Sequence, residues 1–157
     1  MLAKARFLKK LRSLHPRRGD FENKSQADIA EFRQQMCVLK GRMESWLTDT
    51  GIAVDEVSVS LVEFLIGGKA FSVPGIHLSY ENRVVKFTPV FLYGQGVTGC
   101  VDVTLCVSGQ ITSLYRLFMR AGGDVNWTYS ISGNVAAPRV AFSEEAFFEM
   151  SGALLPD

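Results

Sequence analysis

Apolar residues follow a helical rhythm near the beginning of this chain. The stripe recurs at intervals of three and four residues: Ile29, Phe32, Met36, Leu39, Met43 and Trp46. This spacing predicts an amphipathic helix. We expect the helix to begin near Ser25, which can cap it, with Asp28 favoured at the same positive end. Gly51 occupies the position expected for a left-handed helix end.

Two arrangements of this helix remain open. The heptad rhythm of residues 29–46 covers about two and a half heptads. A coiled coil normally requires three or four heptads, so the pattern favours a helix laid across a sheet. The alternative is a homodimer that pairs two copies through the Ile29–Trp46 helix.

The period changes to two between Ile52 and Phe142, which predicts about six strands. The clearest strand is Val97–Val107, where valines and leucine alternate with polar residues. Pro89 lacks an amide donor, so its strand needs an edge or a bulge there, with Val85, Phe87 and Phe91 on the same face as Pro89. Short connections rich in Gly and Asn favour an antiparallel meander.

A second helix is predicted to open at Ser143, with Glu144 and Glu145 suited to its positive end. Its apolar stripe is Phe147, Met150 and Leu154. The order is therefore helix, antiparallel sheet, helix. We predict an α+β domain with both helices on one sheet face.

Strict alternation leaves the other sheet face polar and open to water. This open sheet face is the first candidate surface for a partner. Its proposed partner-binding residues are His77, Lys86, Arg116, Phe118 and Arg120. Asp102 lies in the middle of the most apolar strand, so it is either solvated on this face or a buried, paired carboxylate.

Charge is distributed unevenly along the 157 residues. Residues 1–18 carry seven basic side chains and no acidic one, which leaves ten basic and sixteen acidic residues, a net charge of −6, in residues 19–157. The length suits one domain. We therefore predict a flexible basic tail over residues 1–20 and a single domain over residues 21–157.

The basic tail is the second candidate surface. Ala3, Phe7, Leu11 and Leu14 recur at helical spacing. The proposed partner-binding residues are the basic ones: Lys4, Arg6, Lys9, Lys10, Arg12, Arg17 and Arg18. Such a segment suits the phosphates of nucleic acid, an anionic membrane surface, or an acidic protein, including the body of this chain.

Cysteine and hydropathy patterns bear on location. Cys37, Cys100 and Cys106 match no metal-binding spacing, and no metal site is predicted. Three free thiols favour a reducing cytoplasm. No apolar run reaches the length of a membrane-spanning helix, and no apolar segment follows the N-terminal charges as a secretory signal requires.

No motif in the chain indicates catalysis. Residues 94–99 read G-x-G-x-x-G, but the strand pattern of Val97–Val107 follows where a dinucleotide-binding motif needs a helix. His15 and His77 lie outside any recognisable nucleophile motif. We therefore predict no catalytic residues and no cofactor.

These patterns favour a small, non-catalytic binding or adaptor protein of the accessory, immunity or inhibitor type, acting through a protein partner in the cytoplasm. The alternative is a nucleic-acid-binding accessory protein that uses the basic tail. An enzyme with an unrecognised site is the third hypothesis.

The glycine motif yields a direct prediction. Because a strand follows Gly94–Gly99, and no lysine suited to phosphates follows on the next strand, millimolar ATP, GTP or NAD should leave the melting temperature unchanged. Thermal shift measurements check this. A clear rise with any one nucleotide would contradict it.

Overall fold

Three α-helices and one seven-stranded sheet form the described part of the chain, which in this computed structural model comprises residues 2–14, 18–63, 68–94, 97–120, 126–131 and 140–155. The helices are α1 (Leu2–Leu14), α2 (Arg18–Trp46) and α3 (Glu144–Ser151), and a 3₁₀ turn, Gly152–Leu154, follows α3. The strands are β1 (Ala53–Val62), β2 (Ala70–Tyr80), β3 (Arg83–Gly94), β4 (Val97–Val107), β5 (Gln110–Arg120), β6 (Asn126–Ile131) and β7 (Val140–Ala141).

All neighbouring strands are antiparallel and follow chain order from β1 to β7. This confirms the predicted α+β fold and its meander. The strand missing from the predicted six is β7, which has only two residues. A strand that short leaves no alternating pattern in the sequence.

The α2 stripe is buried against the sheet. Ile29, Phe32, Met36, Leu39 and Met43 are each at most 4% exposed and belong to one core with the strands. This confirms the first of the two predicted arrangements, a helix across a sheet. The stripe is therefore covered within one copy of the chain.

The start of α2 differs from the prediction. The helix begins at Arg18, so Ser25 is not its N-cap. Ser25 is buried, with its hydroxyl 3.5 Å from that of Tyr93.

Gly99 allows α2 to approach β4 closely. Its φ is +105°, and an added Cβ would lie 3.0 Å from the Phe32 ring and 3.2 Å from the Met119 Cβ. Gly99 lies within a strand and opens no helix, in contrast to the third glycine of a dinucleotide-binding motif. The glycine is thus explained by backbone conformation and packing.

Helices α2 and α3 lie on the same sheet face. Phe32 of α2 stacks at a tilt on Trp127 of β6 with ring centroids 6.5 Å apart, and Trp46 at the end of α2 lies 4.9 Å from Phe147 of α3. Ser143 caps α3 as predicted, because its hydroxyl accepts from the Ala146 amide at 3.2 Å. One helical layer therefore covers the sheet.

A β-bulge in β3 changes which side chains face the core. The register with β4 shifts between Pro89 and Phe91, so Val90 is the extra residue. Beyond it Leu92 is buried at 1% exposed. Phe91 leaves the face of Val85 and Phe87, so the predicted alignment of these residues was wrong at Phe91, whereas the predicted irregularity at Pro89 is confirmed.

The face of β2 that is buried also changes along the strand. Strand β2 pairs with β1 from Ala70 to Ser79, but with β3 only from Ile76 to Tyr80. The buried positions change from Val73 to Ile76, that is, from odd to even numbers, and both belong to the same core. Arg33 of α2 donates to the Ser72 carbonyl at 2.7 Å, which ties this end of the hairpin to the helix.

The packing at Gly99 can be tested with a matched glycine. Gly99→Ala should lower the free energy of unfolding by about 2–4 kcal/mol, because it adds both backbone strain and overpacking. Gly109→Ala should cost about 1 kcal/mol, since Gly109 has a φ of +83° but nothing within 4 Å of its added Cβ. Urea unfolding measures both; equal losses would show that the contact with Phe32 is unimportant.

Candidate functional site

Part of the basic tail, Leu2–Leu14, forms helix α1. Side chains 3–9 of α1 are all exposed, and the largest apolar ones, Phe7 and Leu8, are 65% and 42% exposed. Among the predicted contacts, Lys4, Arg6 and Lys9 are exposed, while the backbones of Lys10 and Arg12 belong to α1 and that of Arg18 to α2. Arg17 lies outside the described residues.

His77 of β2 lies between two cross-strand neighbours on the open sheet face. One is Lys86 of β3, and the other is Asp55 of β1. Burial, followed by the charge of Lys86, lowers the pKa of His77 from 6.5, and Asp55 opposes the shift. The imidazole is thereby held in its neutral form beside a cation. The prediction that these two residues share a face is consistent with their register.

Asp102 and Arg116 form an ion pair across β4 and β5. The Arg116 Nε donates to the Asp102 carboxylate at 2.8 Å, and the two side chains are each 32% exposed. This hydrogen bond raises the pKa of Arg116, and the guanidinium carbon lies 5.8 Å from the Phe91 ring centroid. Asp102 is thus half-buried and paired. This state lies between the solvated residue and the buried, paired carboxylate that the sequence left open.

Phe118, another predicted residue of the open sheet face, is much less accessible than His77, Lys86 and Arg116. Phe118 is only 3% exposed and pairs in register with Cys100, which is fully buried. This burial argues against the expected role of Phe118 as a partner contact. Arg120 is the last residue of β5. Of the five predicted residues, His77, Lys86 and Arg116 are partly exposed.

A polar cluster between β3 and α2 is structural. The Tyr93 hydroxyl donates to the Asp28 carboxylate at 2.5 Å, and the Lys24 ammonium lies 3.4 Å from the same oxygen. Burial, together with the bond to Asp28, raises the pKa of Tyr93 to about 12. These bonds tie the end of β3 to the first turns of the long helix.

An apolar groove lies between α3 and the β5–β7 end of the sheet. We call it the α3 groove. Its volume is about 340 Å³. Its lining comprises two tyrosines, small and aliphatic residues and one carboxylate: Tyr115, Tyr129, Ser130, Ile131, Val140, Ala146, Glu149 and Met150. The two tyrosine rings meet edge to face, with centroids 5.8 Å apart.

Exposed apolar side chains continue the α3 groove onto the surface. Ile131 and Val140, which line it, are 63% and 51% exposed. Glu144, Glu145 and Glu149 give α3 three carboxylates, and the helix contains no basic residue. The groove can therefore accept an apolar group that is accompanied by positive charge.

Sequence patterns did not identify the α3 groove. Alternation places Tyr129 and Ile131 on the apolar face, but it does not show that Ile131 lies beyond the edge of α3. Val140 belongs to the two-residue strand β7. Only the position of α3 makes a groove of these residues, and Arg83 helps to hold that position by donating twice to the Ala153 carbonyl, at 3.2 and 3.1 Å.

Metal-binding clusters and membrane-spanning helices are absent from the described ranges. They contain no cluster of three or more His, Cys, Asp or Glu side chains placed to hold a metal ion. None of their helices has both the length and the apolar character to span a membrane. Comparison with protein-family models, curated proteins and solved structures found no significant match to this chain.

The electrostatics of the open sheet face can be measured at His77. Replacing Lys86 by Gln should raise the pKa of His77, yet leave it below 6.5, because burial is the larger cause. A pH titration of the imidazole by NMR, assigned with His77→Gln, checks this. Asp55→Asn should lower the pKa of His77 further, because it removes the charge that opposes the shift.

The pH dependence of the stability that His77 contributes follows from the direction of its pKa shift. Because the folded pKa of His77 is lowered, its contribution to stability is present above pH 6.5 and is lost as pH falls through the folded value. The free energy of unfolding should therefore fall less steeply with acidification in His77→Gln. An unchanged pKa in Lys86→Gln would contradict the proposed influence of Lys86.

Proposed function

We propose that this protein is a small, non-catalytic adaptor of the accessory, immunity or inhibitor type, which binds a protein partner at the α3 groove. The observation that supports this most directly is that Ile131 and Val140, which line the groove, are also largely exposed at its rim. Contiguous exposed apolar surface rimmed by polar residues is typical of protein interaction sites.

The shape of the groove favours a macromolecular partner over a small ligand. A volume near 340 Å³ is at the low end of ligand pockets, which enclose most of the ligand. Here Ile131 and Val140 line the cavity and also expose more than half of their surface at its rim. A protein that inserts one side chain and covers the rim would remove this additional apolar area from water.

The charge of α3 indicates which partner segment fits. Glu149 contributes a carboxylate to the lining, and Glu144 and Glu145 are exposed on the same helix. A partner segment with an apolar anchor and adjacent lysine or arginine would pair with these carboxylates. The carboxylates would then favour association and orientation more than they add to affinity.

Cytoplasmic location remains part of the proposal. Cys37 and Cys106 are free thiols, and Cys37 is exposed. An exposed thiol of this kind is retained most readily in a reducing compartment. The free cysteines therefore support the location expected from the sequence.

Nucleic-acid binding is the second candidate function, and α1 favours it. Lys4, Arg6 and Lys9 are exposed on that helix and can contact phosphates. The same helix exposes Phe7 and Leu8, which phosphate contacts would leave in water. We therefore rank a protein partner first.

Two isoleucines of equal exposure provide the test. Ile131→Glu places a charge at the α3 groove, whereas Ile111→Glu makes the same change on β5 at a residue that does not line it; the side chains are 63% and 67% exposed. Each tagged full-length chain is used to recover bound proteins from its native cells. A partner should be retained by the wild type and Ile111→Glu, and reduced at least about tenfold by Ile131→Glu.

Glu149→Lys adds a charge test at the same site. It should weaken the same partner if a basic segment occupies the groove. Melting temperatures establish that the variants are folded. A partner retained equally by Ile131→Glu, or lost equally with Ile111→Glu, would exclude the α3 groove as its binding site.

A further inference from the structure

Helix α1 separates exposed apolar and basic side chains around its axis. At 100° per residue, Arg6 and Lys9 each point about 150° away from the direction midway between Phe7 and Leu8. Lys4 lies between Phe7 and Leu8 on the wheel, and its long aliphatic stem suits such a position. All five side chains are exposed. Over residues 3–9 the helix thus presents an apolar face and a basic face, both of them exposed.

We propose that α1 is a membrane-surface anchor that lies in the interface of an anionic lipid bilayer, with Phe7 and Leu8 among the acyl chains and Arg6 and Lys9 at the headgroups. This goes beyond protein binding at the α3 groove and does not depend on it. The class of ligand is an anionic phospholipid surface.

The apolar face selects lipid over other polyanions. Nucleic acid would neutralise the basic face but would leave Phe7, 65% exposed, in water. A bilayer interface satisfies both faces, because acyl chains receive the apolar residues while anionic headgroups attract the basic ones. The sequence continues both features, with Leu11 and Leu14 at helical spacing and with Lys10 and Arg12 on either side of Leu11.

The charge of the rest of the chain assigns the contact to α1. Residues 19–157 have ten basic and sixteen acidic side chains, a net charge of −6, so an anionic surface repels them overall. Residues 1–18 carry seven basic side chains and no acidic one. Attraction to anionic lipid is therefore concentrated at the N-terminal segment, and the body remains oriented away from the surface.

Vesicle sedimentation of the full-length chain tests the anchor. The protein should bind vesicles of phosphatidylcholine and phosphatidylserine, but not vesicles of phosphatidylcholine alone. Phe7→Ser should reduce binding about tenfold, through loss of its apolar contact. Lys9→Gln should reduce it about fivefold, and raised salt should weaken it further.

Ile111→Ser is the matched control, since Ile111 is 67% exposed on β5 and should not touch the membrane. It should bind vesicles as the wild type does. Single-stranded RNA is run in parallel. Equal vesicle binding by Phe7→Ser, binding to neutral vesicles as strong as to anionic ones, or binding to RNA with none to anionic vesicles would each overturn the proposal.

Discussion

The close contact between Phe32 of α2 and Gly99 of β4 brings the helical layer onto the sheet. Any side chain at Gly99 would meet the Phe32 ring, and the φ of +105° at this residue already disfavours one. Around this contact the other stripe residues of α2 lose nearly all their exposure. Each large apolar side chain removed from water in this way contributes about 1.5–3 kcal/mol before entropy is considered, so the core depends on the approach that Gly99 permits.

Irregularities in the sheet determine what its two faces display. The extra residue at Val90 sends Leu92 into the core and brings Phe91 to within reach of the Arg116 guanidinium. His77 and Lys86 lie in the cross-strand row of Thr104, whereas Asp102 and Arg116 lie in the row of Thr88. The polar face is thus a set of local pairs with structural explanations.

The two surfaces best suited to partners differ in construction. The α3 groove depends on α3 being fixed, by the Ser143 cap at one end and by Arg83 at the following turn. It is therefore preformed, which reduces the ordering cost of binding. Helix α1 instead exposes both apolar and basic side chains within one continuous segment, residues 3–9. The proposed anchor would hold the α3 groove near a membrane surface without forming part of the groove.

Periodicity determined the types of the longer elements and the buried stripes of α2 and α3, because each depends on spacing along one segment. The short connections rich in Gly and Asn indicated the meander. The amphipathic pattern of α1 was equally visible. Tertiary structure decided the rest. The start of α2 at Arg18, the exit of Phe91 from the core, the burial of Phe118 and the α3 groove all depend on which residues other segments bring alongside. Alternation assigns a residue to a face, but a bulge reverses that assignment and a helix laid over part of a face creates a groove at its edge. Neither event leaves a period in the sequence, since both arise from contacts between residues far apart in the chain.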